Sequence, residues 1–364
     1  MTGGRGLIAA ALALAAPVPG STTVSPHALD RIIDSARFEG VAIAGDSDVP
    51  GYVRATGLAS RGVPHRAGAI WRWASVTKQI TTVIVMQEVA AGHLSLDAPV
   101  KSYWPEWPHV FADEITIRQL LQHDSGLADP NQDGPNLPDG LPVFYRPAAG
   151  EGGMQYAATH YCAEHPRTEP GVGFHYNNCD FIVLGALLER ITGQSYAALV
   201  QDRIAAPLGL KIGLFAPDAP PARHVGGLDI HGQPEVIGNL GTYGAAGSLH
   251  GSPLALYAFD RALITHRLLD AATTQAMWTG DAKLGAAALG QWQFVTPLRG
   301  CPAPVSVVER RGQIGGVQIR NYILPETGRA LVLFTRRGAF AFGEVWQGKG
   351  FAYEALSAVG CVRE

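Results

Sequence analysis

A serine and a lysine three positions apart, Ser75 and Lys78, open the most apolar stretch of the chain. On a helix, positions i and i+3 share one face, with Cβ atoms roughly 5–6 Å apart. A serine at a helix start meets free backbone N–H groups and the positive end of the helix dipole, both of which favour developing negative charge. A lysine buried beside an apolar helix loses ammonium solvation, so its pKa falls and it can share a proton. An activated serine nucleophile needs both features. The spacing alone is weak, because fourteen serines and five lysines produce it by chance in about one such chain in five. The competing reading is a Lys78 that merely reaches solvent from a helix end.

Two further groups could join this pair. Tyr176-Asn177-Asn178 stands just before an apolar run. A phenol near an ammonium titrates below its usual value of about 10 and can act as a general base. An Asn beside it can orient substrate and hold the lysine. The plainer alternative is Tyr176 as a packing residue and Asn178 as a helix N-cap. Gln313-Ile314-Gly315-Gly316 leads into the β-type run 317–324. Adjacent glycines let a substrate approach an edge strand, and the Gly316 N–H could face an oxyanion. A simple Gly-Gly turn is the other reading.

The elements that must position these residues follow from hydrophobic patterning. Short strands are expected at 40–44 and 52–58, after a helix at 28–36. Residues 76–91 are apolar nearly all round and predict a buried helix closed by Gly92. Helices are also expected at 116–122 and 180–191, and a closing helix at about 350–359. Residues 305–309, 317–324 and 329–335 are β-type, the last two joined by the Pro325–Gly328 turn. The stretch 127–173 is rich in Gly, Pro and Asp with little periodicity. The fold class is therefore α/β in the α+β sense: one sheet from both chain ends, flanked by helices, with a helical insertion. The division is 26–77 with 240–364 for the α/β part and 78–239 for the mainly helical part.

Composition sets outer limits. Apolar residues make up 47% and charged residues 16% of 364, with a net charge of −3 and no basic stripe, so nucleic-acid binding has no electrostatic support. A weakly basic start, the Ala/Leu run 7–16 and Ala13-Leu14-Ala15 read as a signal peptide over about 1–20. That run is too short to span a bilayer, and stable membrane insertion is not expected. A periplasmic or secreted protein follows as the expectation. Four cysteines allow three pairings. Cys162–Cys179 and Cys301–Cys361 are the expected ones, because each ties segments within one half of the chain; free buried thiols are the alternative.

Taken together and in order, these motifs resemble the serine β-lactamase and penicillin-binding-protein superfamily, in its class C β-lactamase, esterase and D-aminopeptidase branch. The resemblance runs from about residue 41 to 335. It rests on Trp73-Ala74-Ser75-Val76-Thr77-Lys78, Leu94-Ser95-Leu96-Asp97, His123-Asp124-Ser125-Gly126-Leu127, Tyr176-Asn177-Asn178, Pro207-Leu208-Gly209-Leu210 and Ala246-Gly247-Ser248-Leu249. The S-x-x-K signature belongs to that superfamily. The resemblance implies the β-lactamase/DD-peptidase fold and acyl transfer to Ser75, with Lys78 and Tyr176 moving its proton. It implies a substrate contact for Asn178, an oxyanion site at the N–H groups of Ser75 and Gly316, and no metal or organic cofactor. The substrate would be a small ester, amide, peptide or β-lactam.

The third motif departs from the family pattern. Lys or His is usual where Gln313 stands, and Ile314 replaces a Thr or Ser. A cation there holds a substrate carboxylate, and a neutral amide does so less well. Esterase or amidase activity is accordingly expected over true β-lactamase activity, with Arg310, Arg311 and Arg320 as candidates to supply the charge. A penicillin-binding or sensing module that acylates without turnover, a true class C-type β-lactamase or DD-peptidase, and a scaffold without chemistry are the alternatives. His123-Asp124-Ser125 contains triad residue types, but sequence neighbours rarely converge on one point and no G-x-S-x-G elbow exists. His175 beside Tyr176 reads as packing or capping, and the histidines show no metal-binding spacing.

Overall fold

The computed structural model describes residues 25–361 apart from 130, 135, 139–141, 146–151, 165, 216–223 and 236–238. The expected leader lies outside the described residues. Seven strands form the main sheet: β1 Gly40–Gly45, β2 Tyr52–Thr56, β3 Ala287–Ala288, β4 Gln291–Thr296, β5 Val305–Ile314, β6 Val317–Leu324 and β7 Arg329–Thr335. Their order is β2-β1-β7-β6-β5-β4-β3, antiparallel throughout. Both chain ends thus meet in one sheet, where Val41 pairs with Phe334 and Ile43 with Val332.

The central strands explain the layering. Every residue of β1, β6 and β7 is buried, and a strand buried on both faces needs cover on both. Four helices bear on the argument: α1 Pro26–Ser35, α2 Thr77–Ala90, α3 Cys179–Thr192 and α4 Phe351–Gly360. On one face, α1 and α4 pack Leu29, Ile33, Leu356 and Val359 against the sheet. On the other, α2 and α3 close a larger core with Trp71, Trp73, Ile80, Val83, Phe181 and Leu184. Eleven of the fourteen residues of α2 are buried, among them Lys78.

Several local features differ from the sequence reading. α2 begins at Thr77, and Ser75 lies in the 3₁₀ turn Ala74–Val76 that feeds it. Strand β5 runs five residues beyond the expected end, to Ile314. Its polar run Arg310-Arg311-Gly312-Gln313 resembles a solvated turn in composition, but partners described below bury Arg310 and hold Arg311 partly buried. Helices Tyr196–Val200 and Pro253–Ile264 were not anticipated. Within 127–173, a short helix Met154–Thr159 packs beneath α3. The cysteines pair as Cys162–Cys179 and Cys301–Cys361.

Candidate active site

Strand Trp71–Arg72 leads directly into the 3₁₀ turn through Ala74, a buried alanine held at φ 47°. A left-handed conformation costs a non-glycine residue roughly 1–2 kcal/mol and is kept only where packing over-determines it. Here it turns the chain so that Ser75 half-emerges while Val76 and Lys78 point inward.

The Ser75 hydroxyl lies 2.6 Å from the Tyr176 hydroxyl. Lys78 Nζ donates to Ser75 Oγ at 3.3 Å, to Asn178 Oδ1 at 2.8 Å and to the Ala246 carbonyl at 2.8 Å. Its three hydrogens are all engaged, and its side chain is fully buried, so it does not reach solvent. Burial pushes the Lys78 ammonium below its ordinary value; the Tyr176 phenol pulls it back and Arg310 lowers it further. For Tyr176, burial acts upward, yet the neighbouring Lys78 and Arg310 charges outweigh it and hold the phenol below its usual value.

Arg310 is the largest addition to the sequence reading. Its Nε donates to the Ser75 carbonyl at 2.7 Å and its Nη2 to the Tyr176 hydroxyl at 3.2 Å. The guanidinium also stacks over the rings of Tyr176 and Trp292. Of the three arginines considered as substitute cations, only this one reaches the site. Arg311 is tied to Glu309 and Glu344, and Arg320 lies near Glu309.

Asn178 is no side-chain cap for α3. Its Oδ1 holds Lys78, and its Nδ2 approaches Asp129 at 3.3 Å. Asn177 does the capping, accepting from the Asp180 N–H at 2.8 Å. Asp129 is a buried carboxyl that the sequence reading missed, since an isolated Asp in an aperiodic stretch carries no signal; burial raises its pKa. The pocket over Ser75, about 280 Å³, is lined by Asp129, Asn131, Tyr176, Asn178, Tyr243, Gln313, Ile314 and Gly315.

Gly316 is not part of that lining. The expectation that it offers an oxyanion N–H fails, because that N–H donates to Glu235 Oε2 at 2.6 Å. Glu235 also pairs with the buried Arg72, three residues before Ser75. The backbone alternation of β5 names a different donor. Gly315 and Gly316 form the two-residue turn between the paired Ile314 and Val317, with Gly315 at φ 53°. Residues flanking such a turn exchange both hydrogen bonds. Ile314, Gly312 and Arg310 therefore face β6, and Gln313 and Arg311 face the opposite edge. β4 stops pairing at Glu309↔Trp292, so the Gln313 N–H looks out from an open edge. Gly312 allows the close approach: a Cβ there would lie 2.4 Å from the Trp73 carbonyl oxygen.

His123 and Ser125, set aside as sequence neighbours that would not converge, do converge on the Asp180 carboxyl. His123 Nδ1 sits 2.7 Å from Asp180 Oδ2, and the Ser125 hydroxyl bonds the other oxygen. This is a buried support: the His123 ring packs on the Tyr176 ring at 4.6 Å and does not contact Ser75. His175 donates its backbone N–H to the His123 carbonyl at 2.7 Å.

Comparison with known proteins shows the family and the fold. The Beta-lactamase family model matches residues 28–346. Esterase EstB of Burkholderia gladioli is 36% identical over 228 residues, 57% of this chain and 56% of that protein. Penicillin-binding protein 4 of Amycolatopsis lactamdurans is 29% identical over 195 residues, 52% and 48% of the two chains. The match thus spans about half the length of these curated relatives. A crystal structure of a D-stereospecific amidohydrolase from Streptomyces sp. superposes with a TM-score of 0.73, covering 93% of this chain and all of that one at 22% identity. At that identity the likeness speaks for the fold.

Proposed function

The chain belongs to the Beta-lactamase family, and from that premise we propose that it is an exported serine hydrolase that forms an acyl-enzyme on Ser75 from small esters or amides. The observation that carries this reading is the 2.6 Å contact between Ser75 Oγ and Tyr176, with Lys78 and Arg310 beside it. In the phenolate form Tyr176 takes the Ser75 proton as the Oγ–carbonyl bond forms. It then gives that proton to the departing alkoxide or amine as the old bond breaks. Water repeats the sequence on the acyl-enzyme and releases the acid. Lys78 and Arg310 stabilise the phenolate, and Asn178 holds Lys78 in place from the pocket wall, where it also stands within reach of a substrate.

The N–H groups of Ser75 and Gln313 form the oxyanion site, where one donor is worth about 10²–10³ in rate. Arg310 occupies the place of the missing cation, but its side chain is buried, with Nε and Nη2 engaged by Ser75 and Tyr176. A substrate carboxylate therefore gains little from it, which favours esters and amides over β-lactams. Asp129 in the pocket wall adds a preference for neutral or amine-bearing acyl groups, since a carboxylate would meet a like charge. Two disulfides fit an oxidising compartment and support export.

Acylation without turnover is the second reading. Stopped-flow hydrolysis of a nitrophenyl ester separates the two: a burst followed by steady release supports the hydrolase, and a single stoichiometric burst supports the sensor.

A further inference from the structure

Glu235 joins three segments of the chain through one carboxylate. Its Oε1 accepts from Arg72 Nη2 and from the Gly227 N–H, and its Oε2 accepts from the Gly316 N–H at 2.6 Å. We propose that Glu235 is a positioning residue for the oxyanion site: it holds the Gln313 N–H across from the Ser75 N–H so that both reach one oxygen. The inference rests on the acyl-enzyme reading above.

Three observations carry it. The first is placement. Arg72 stands three residues before Ser75, and Gly316 three residues after Gln313. The carboxylate therefore grips the backbone of each donor at the same short remove. Arg310 makes the other tie between these segments, from its Nε to the Ser75 carbonyl at 2.7 Å. It stands three residues before Gln313, so Arg310 and Glu235 fix the strand on both sides of the donor.

The second is the turn. Gly315 and Gly316 carry no side chain to pin them, so backbone partners must fix where the end of β5 sits. A Cβ at Gly315 or Gly227 would overlap the Glu235 carboxylate, and one at Gly316 would overlap the Leu228 backbone. The glycines thus let the carboxylate close on the turn. That requirement accounts for Gly316, which does not line the pocket.

The third is the arm that carries the carboxylate. Leu228 bridges to Pro234, and between them Asp229 Oδ1 accepts from the N–H groups of His231 and Gln233, each at 2.8 Å. Leu228 is also bonded on both sides to the chain that follows β7. Its N–H donates to the Arg336 carbonyl at 2.7 Å, and its carbonyl accepts from the Gly338 N–H at 2.8 Å. The Arg72 and Glu235 side chains are 1% and 4% exposed, and among the described residues no second acceptor takes the Arg72 guanidinium. A buried ion pair held this way tolerates little displacement.

Glu235→Asp tests this directly, because it keeps the charge beside Arg72 and draws the carboxylate back by one methylene. On nitrophenyl acetate its kcat should fall about 10–100-fold, the usual cost of a misplaced transition-state donor, with KM kept within about threefold. Phenylboronic acid, which adds to the Ser75 oxygen and sets a boron-bound oxygen in the oxyanion site, should lose affinity by a similar factor. Glu235→Ala should lose at least as much. Combining Arg72→Met with Glu235→Gln removes both charges and leaves an amide oxygen for the Gly316 N–H, so kcat should return to within about tenfold of wild type. Wild-type kcat in Glu235→Asp, a loss that merely tracks the unfolded fraction in a thermal melt, or a double variant no better than Glu235→Ala overturns the proposal. Amide exchange at Gly316 reads the tie without the chemistry: slow in wild type, and faster in Glu235→Ala while the amides of β6 stay slow. Fast exchange in wild type overturns the tie. Ester turnover that survives Ser75→Ala overturns the acyl-enzyme reading and leaves the exchange result standing.

Discussion

Arg310 and Tyr176, 134 residues apart in sequence, share a hydrogen bond of 3.2 Å, and the other arm of the guanidinium holds the Ser75 carbonyl at 2.7 Å. One buried cation thereby fixes the nucleophile's backbone and helps to lower the pKa of the group that takes its proton.

That relationship sets the pH profile. Tyr176 must be ionised to accept the Ser75 proton, so kcat/KM rises with pH through its lowered pKa. Removing a nearby positive charge raises that pKa, so Arg310→Gln should move the acid limb toward alkaline pH by about one unit or more. Activity at pH 7 should fall roughly 10–100-fold, with partial recovery at pH 9. Arg310→Lys should retain part of the shift. A pH–rate profile of the three proteins checks this, and an acid limb fixed in place would remove Arg310 from the account.

Lys78 has no slack in its surroundings: Ser75, Asn178 and Ala246 take its three hydrogens. Lys78→Met should lower acylation by about 10³-fold, in line with losses at other nucleophile partners, while a thermal melt shows a folded protein. Asn178→Ala should cost less, because it removes an orienting group and leaves the base in place.

The oxyanion assignment separates backbone from side chain. Gln313→Ala keeps the N–H and should leave kcat within a few-fold of wild type. Gln313→Pro removes an N–H that faces the open edge of β5, so it cuts no bond to β6 and should lower kcat by about 10²-fold or more. Equal activities for the two variants would place the donor elsewhere.

How far this site could be read from sequence depended on the type of signal. α2 was legible because its apolar run leaves no polar face, and Ser75, Lys78 and Tyr176 because they sit at the heads of such runs. The third motif misled. Arg310-Arg311 has the composition of a solvated turn, and only the tertiary partners Tyr176, Ser75, Glu309 and Glu344 hold it as strand, with Arg310 buried and Arg311 partly so. Placing the expected cation at Gln313 was therefore three residues off, and Gly316 was credited with an N–H that Glu235 occupies. Asp129 and Asp180 are single carboxylates whose roles come from burial, which no spacing announces.

The two disulfides should behave differently. In the chain-entropy picture, loops of 17 and 60 residues are worth about 3 and 4 kcal/mol. Cys179 is the first residue of α3, directly after Asn178. Replacing Cys162 and Cys179 by Ser should therefore lower both Tm and kcat, and replacing Cys301 and Cys361 should lower Tm with kcat kept. Denaturant melts and initial rates on both double variants decide it.

The central claim is a covalent ester on Ser75. Intact-protein mass spectrometry after brief reaction with a nitrophenyl ester, followed by peptide mapping, reads it most directly. The account predicts one added acyl mass, located on the peptide containing Ser75 and absent from Ser75→Ala. An acyl mass on another residue, or full ester turnover by Ser75→Ala, would contradict it.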